Sequence, residues 1–113
     1  MSDYRAITIK RRWAERIVSG EKLYEIRRFT TPYRGPLVIT LSGEKQAFCI
    51  VDLWSIISID HIEPGIISDE ELAYGQWAWE LCNPTLCAPV PCRGKLGLWR
   101  WDAELPALLD VTP

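Results

Sequence analysis

A chain of 113 residues with 48% hydrophobic residues and six Trp is sized and composed for one folded domain. That apolar content excludes disorder as the main state, and a net charge of −2 argues against a non-specific coat on polyanions. No run approaches the roughly 18 apolar residues of a membrane-spanning helix, because the longest, residues 47–59, is broken by Asp52.

Residues 6–10 alternate as a short first strand does. Trp13, Ala14, Ile17 and Val18 then share one face at helical spacing, with Arg12, Glu15, Arg16 and Ser19 opposite. Gly20 stands where such a helix ends. Residues 23–28 read as a second strand and 37–41 as a third, separated by Pro32, Gly35 and Pro36. Residues 47–59, long and rich in Ile and Val, predict a bent central strand. Ser68 ahead of Asp69, Glu70 and Glu71 predicts a short helix over 68–73, a cap residue followed by acids in the first turn. Strands are expected over 77–81 and 96–101, and a terminal helical turn over 103–109, weakened by Pro106. The expectation is an α+β, mostly β fold: a small barrel of five to six strands with one or two short helices, forming a single domain of residues 1–113.

The start, Met1-Ser2-Asp3-Tyr4-Arg5, lacks the apolar core of a secretory leader, so the expected location is cytoplasmic and the four cysteines are thiols. Cys82, Cys87 and Cys92 recur every five residues, and His61 is available as a fourth zinc ligand. The spacing is not that of a zinc knuckle, and Pro84, Pro89 and Pro91 stiffen the chain, so no metal site is expected. Cys49 reads as a small buried hydrophobe, and His61 as a turn residue.

Charge is uneven. Residues 1–35 hold nine of the 13 Lys and Arg but four of the 15 acids, which permits a localised phosphate site. The densest constellation lies there. On the strand over 23–28, Leu23, Glu25 and Arg27 project to one side and Tyr24, Ile26 and Arg28 to the other. Glu25 and Arg27 are thus same-face neighbours, with Lys22 at the mouth of the preceding turn. Such a cluster can bind a phosphate, or hold a carboxylate ready as a general base beside cations that lower its pKa. The plain alternative is a surface ion-pair network of little energetic worth.

The run Gly20-x-Lys22-x-x-Glu25-x-Arg27, behind a helix holding Trp13, Ala14 and Ile17, resembles the signature of the ASCH domain. That family belongs to the PUA-like superfamily, alongside the EVE and YTH domains. Residues 33–39 and 91–99 are similar to the family's following and closing strands. Trp77-Ala78-Trp79-Glu80-Leu81 falls where relatives carry an aromatic-rich strand near the pocket. The resemblance covers about residues 5–101. It implies a PUA-like barrel with a cleft between barrel and helix, suited to RNA or a nucleotide.

The residues agree in part, since single-stranded nucleic acid needs cations for phosphate and rings for stacking. Lys10, Arg12, Lys22, Arg27 and Arg28 supply charge, and Tyr24, Trp54, Trp77, Trp79, Trp99 and Trp101 supply rings. Trp79 is the ring expected to line a pocket; Trp13, Trp99 and Trp101 are expected in the core. The expected partner is single-stranded RNA or a modified nucleoside or nucleotide, without cofactor, membrane or specific protein partner.

Three functions follow from the resemblance. The first is a binding module for RNA or a modified base. The second is a metal-independent hydrolase. As a ribonuclease it would use Glu25 as base towards a 2′-hydroxyl, with Lys22 or Arg27 stabilising the phosphorane. As an amidohydrolase it would act on N4-acylated cytidine. For that branch of the family the catalytic lysine matches Lys22, but its threonine falls at Glu25, a departure from the pattern, and its carboxylate has Glu70 or Glu71 as nearest candidates. The third function is a protein-interaction module in transcription or translation.

Overall fold

The computed structural model describes residues 3–109; Met1 and Ser2 of the charged start, and 110–113 at the other end of the expected domain, lie outside the described residues. Strand β1 (Arg5–Ile9) leads into helix α1 (Arg11–Ser19), followed by β2 (Tyr24–Arg27), β3 (Gly35–Leu41) and the long β4 (Ala47–Ser58). A 3-10 turn over Ile59–His61 and the one-turn helix α2 (Asp69–Leu72) precede β5 (Trp77–Leu86) and β6 (Trp99–Arg100). The strands make one sheet in the order β2-β5-β4-β3-β1-β6. Only β1 and β3 run parallel. The sheet curls into a half-barrel, mostly β with two short helices, as the sequence predicts.

Period-two alternation sorts the side chains. Ile7 and Ile9 of β1, Leu37, Ile39 and Leu41 of β3, and Val51 and Leu53 of β4 face one core, onto which α1 lays Trp13, Ala14 and Ile17. The alternate residues Ala6, Val38 and Ile50 join Cys87 and Trp101 in a second core on the other face. Gly20 ends α1 at φ 88, in the left-handed region that glycine enters without steric penalty, and its N–H donates to Ile17 O. Two register shifts, near Val51 and Trp54, accompany the bend of β4.

Three expectations change. The strand over 77–81 continues to Leu86, placing Cys82 on β5 and Cys87 at its end. The strand over 96–101 shrinks to Trp99 and Arg100, because the preceding chain leaves the sheet: Gly94 packs on Thr8, the Lys95 carbonyl accepts from the Thr8 hydroxyl, and Gly97 takes φ 70. No helix forms over 103–109. That segment runs alongside the end of β5, with Ala88 N–H donating to Ala107 O and Leu109 N–H to Leu86 O.

One topological feature positions the site. β6 pairs with β1 only at Arg5 and Ala6, so from Ile7 onward the outer edge of β1 has no strand neighbour among the described residues. β2 is the opposite edge strand and bonds to β5 alone. The half-barrel stays open at the seam between these edges.

Candidate functional site

A cleft of about 280 Å³ lies in that seam. The volume sits at the small end of small-molecule sites, roughly 300–1,000 Å³, and suits one ring system. The end of β1 supplies Thr8, Ile9 and Lys10, β2 supplies Glu25 and Arg27, and α1 supplies Trp13. Glu71 and Tyr74 close it from the segment before β5.

Lys22 is at the centre and only 8% exposed. The turn that Gly20 permits brings Lys22 N–H back to Arg16 O, which fixes the start of β2. The ammonium donates to Tyr24 O at 2.6 Å and to Glu71 Oε2, and faces Glu25 Oε1 at 3.4 Å. The ammonium thus makes two hydrogen bonds and has a second carboxylate within ion-pair distance. Burial alone would raise the Glu71 carboxyl, but the hydrogen bonds and charge of Lys22, with Ser68, outweigh it and hold Glu71 below its ordinary range. Glu25 Oε2 accepts from Arg27, at 3.0 Å from Nε and 2.9 Å from Nη2. Arg27 Nη2 also donates across the seam to Thr8 O at 3.3 Å. The formal charges of Lys22, Arg27, Glu25 and Glu71 cancel, leaving a polar but neutral interior.

The rim is different. Lys10 and Arg16 are exposed and form no ion pair among the described residues, and neither does Arg28 farther out. Arg12 sits over Trp13, its guanidinium carbon 4.4 Å from the ring centroid, and its Nη2 donates to Glu70 Oε1 at 2.5 Å. Arg16 and Lys22 approach the same indole at 5.0 and 5.4 Å, so three cations surround it.

Of the residues singled out from sequence, the structure brings together Lys10, Lys22, Glu25 and Arg27, with Arg12 at the rim. Glu25 and Arg27 share a face of β2 as expected. Tyr24 turns to the other face, into an apolar cluster with Ile26, Ile67 and Ala78, and only its carbonyl serves Lys22. Arg28 lies past the end of β2, outside the cleft lining. Trp79 corrects the expectation of a pocket ring: it is 0% exposed within the α1-facing core, its Nε1 donates to Phe29 O at 3.1 Å, and the Phe29 ring meets it edge-on.

The tryptophan that does reach the cleft is Trp13, which helical spacing assigns to the core. It does both, being 6% exposed in the core and part of the lining. Its flanking arginines were the available signal. Thr8, Ser42 and Tyr74 carried none. Glu70 and Glu71, undivided in sequence, part company: Glu71 goes to Lys22 and Glu70 to Arg12.

The cysteines take no part in the cleft. Burial raises Cys49 to about 12 and Cys87 to about 11, so both stay protonated thiols. No group of three or more His, Cys, Asp or Glu among the described residues is arranged to hold a metal ion.

The family model described as the ASCH domain matches residues 7–87. The crystal structure of ASCH from Zymomonas mobilis superposes with a TM-score of 0.73 at 19% identity, covering 90% of each chain. Two point mutants of that protein superpose with TM-scores of 0.70 at 17% identity, covering 89% and 88% of this chain and 92% and 89% of theirs. At such identity the likeness is one of fold. No sequence among the curated proteins matches this chain.

Proposed function

The chain belongs to the ASCH domain family, and from that premise we propose that its cleft takes one nucleobase of a single-stranded RNA or modified nucleotide, with the phosphates outside on the rim. The observation that carries this reading is the saturation of Lys22. With its ammonium held by Glu71, Glu25 and Tyr24 O, and Arg27 held by Glu25, the buried cations of the cleft are already paired, and Lys10, the exposed cation of the lining, stands at its edge. The interior offers a neutral polar ring hydrogen-bonding partners in Glu25, Arg27 and Glu71, and an aromatic wall in Trp13. Lys10, Arg16 and Arg28 stand at or outside the edge, where a backbone would run. RNA readers divide the work in this way, reading a splayed base in a pocket while cations hold its phosphates.

A second reading draws on the ammonium clasped between two carboxylates. Glu25 is placed to take a proton from a water or a 2′-hydroxyl, and Lys22 to return one to the leaving group. On this reading the protein is a metal-independent hydrolase of RNA or of an N4-acylated cytidine.

One experiment addresses both. Purified protein is incubated with short single-stranded RNAs and a panel of nucleosides that includes N4-acylated cytidine, and products are separated from bound ligand. Single-stranded RNA should bind more tightly than duplex DNA and lose roughly one to two decades of affinity between 50 and 200 mM salt. Preference for duplex, or indifference to salt, overturns the RNA reading; products without loss of protein favour the hydrolase.

A further inference from the structure

The segment between the 3-10 turn and β5 crosses the cleft as a strap. From His61 to Gln76 only Ile67 is fully buried. Its ion pairs to the cleft are Glu71 on Lys22 inside and Glu70 on Arg12 at the rim. The two contacts differ in kind. Lys22 and Glu71 are nearly inaccessible, at 6% and 14% side-chain exposure, whereas Arg12 and Glu70 are open to solvent at 48% and 53%.

Arg12 is also the cation best placed to follow a base into the cleft. It sits over Trp13, the aromatic wall, and stands between Arg16 of the next turn and the strap. Its planar fork suits a phosphate as well as a carboxylate. In this structure a carboxylate holds it.

We propose that Glu70 is an internal competitor for a ligand phosphate: it occupies Arg12 until a phosphodiester of the strand whose base enters the cleft displaces it. The ligand half of this statement rests on the RNA reading above. The competition itself is a property of two side chains and holds for any phosphate. An exposed ion pair is weak, so the competitor tunes affinity rather than abolishing it. It also favours ligands carrying both a base and a phosphate over either alone, since only such a ligand has the cleft's contacts to set against the exchange.

The test compares wild type with Glu70→Gln, which keeps the shape and removes the charge. Short mixed-sequence single-stranded RNA should bind the variant about two- to fivefold more tightly, the equilibrium worth of an exposed pair. The slope of log affinity against log salt should steepen by up to about 0.7, the counterion release of one more phosphate on a single strand. Free nucleosides, lacking phosphate, should bind both proteins alike. Equal RNA affinity and equal slope in the two proteins overturn the proposal, as does an equal gain for the nucleosides.

A second arm does not depend on RNA. The Arg12 Nε–Hε resonance is followed by NMR during titration with inorganic phosphate, and should respond at a lower phosphate concentration in Glu70→Gln than in wild type. Identical titrations overturn the competition. If phosphate distinguishes the proteins while neither binds RNA, the RNA reading of the cleft has failed and the competition stands.

Discussion

Glu71 reaches Lys22 from 49 residues further along the chain. It rides on a single helical turn capped by the Ser68 side chain, which also bonds its carboxylate. A nearly buried ammonium therefore depends for neutrality on one of the least packed stretches of the fold, and the first two predictions address that dependence.

Glu71→Gln should destabilise the protein by about 1–3 kcal/mol at neutral pH, the range for losing a charged hydrogen-bond partner. The folded-state carboxyl is held below its ordinary range. Its contribution is therefore full above the unfolded carboxylate pKa and is lost as pH falls through the lower folded value. Urea denaturation across that interval should show the gap between wild type and variant closing in acid; a constant gap means that Glu71 stabilises through packing alone.

Lys22→Met should cost more, about 3–5 kcal/mol, since removing one member of a buried ionic group leaves the rest uncompensated. Glu71 would then lose its cation and face Glu25, which keeps Arg27, so Glu71 should be protonated more readily than in wild type. The variant should recover relative to wild type as pH is lowered, the reverse of ordinary acid behaviour. Adding Glu71→Gln should restore part of the loss at pH 7. A pH-independent deficit would show that the carboxylates are already apart.

Glu25→Gln separates binding from chemistry. It keeps size and a hydrogen-bonding oxygen but removes the base. If the protein is a hydrolase, RNA affinity should remain within a fewfold while product formation falls by about 10²–10⁴. A pure reader yields no product from either protein, and retained turnover in the variant removes Glu25 from the chemistry.

Gly75→Ala tests the anchorage of the strap. Gly75 has φ 156, and a Cβ there would stand 2.3 Å from Arg27 O and 2.7 Å from Arg28 N, both backbone atoms. The chain must shift, at a cost of about 1–3 kcal/mol or more, and Arg27 shifts with it, so ligand binding should weaken beyond what stability explains. Gly20→Ala is the control. It meets nothing within 4 Å, so only its left-handed backbone is strained, by roughly 1–2 kcal/mol. Equal effects of the two substitutions on binding would mean that contact with the Arg27 backbone is immaterial to the cleft.

The periodic parts of this chain were legible in its residues. Trp13, Ala14 and Ile17 announced α1 and Gly20 its end, and β2 kept its facing pattern because alternation is a property of the backbone itself. Lys22, Glu25 and Arg27 could be grouped because six consecutive residues of one turn and strand carry them. Long-range contact was not legible. Nothing in Asp-Glu-Glu says which acid returns to Lys22 and which to Arg12, because that is decided by how the strap crosses the seam. Trp79 misled for a related reason: β5 is buried by α1 on one side, and residues some 60 positions away decide that an aromatic strand faces a core rather than a pocket. The closing strand shortened because Gly94 and Lys95 have Thr8 to pack against, a partner 87 residues distant.

The open seam has a consequence for self-association. A strand edge without a neighbour is a template on which another chain can pair, and closed barrels escape that hazard by having none. Here two edges, β1 beyond Ala6 and the outer side of β2, remain bare of strands among the described residues. They are guarded by side chains: the Arg27 guanidinium occupies the Thr8 carbonyl, and charged Lys10 lines the gap. Such charges act as gatekeepers against edge-to-edge pairing. Arg27, which lines the cleft, is therefore also a group that shields an open strand edge from a second copy of the sheet, so one side chain answers to both demands.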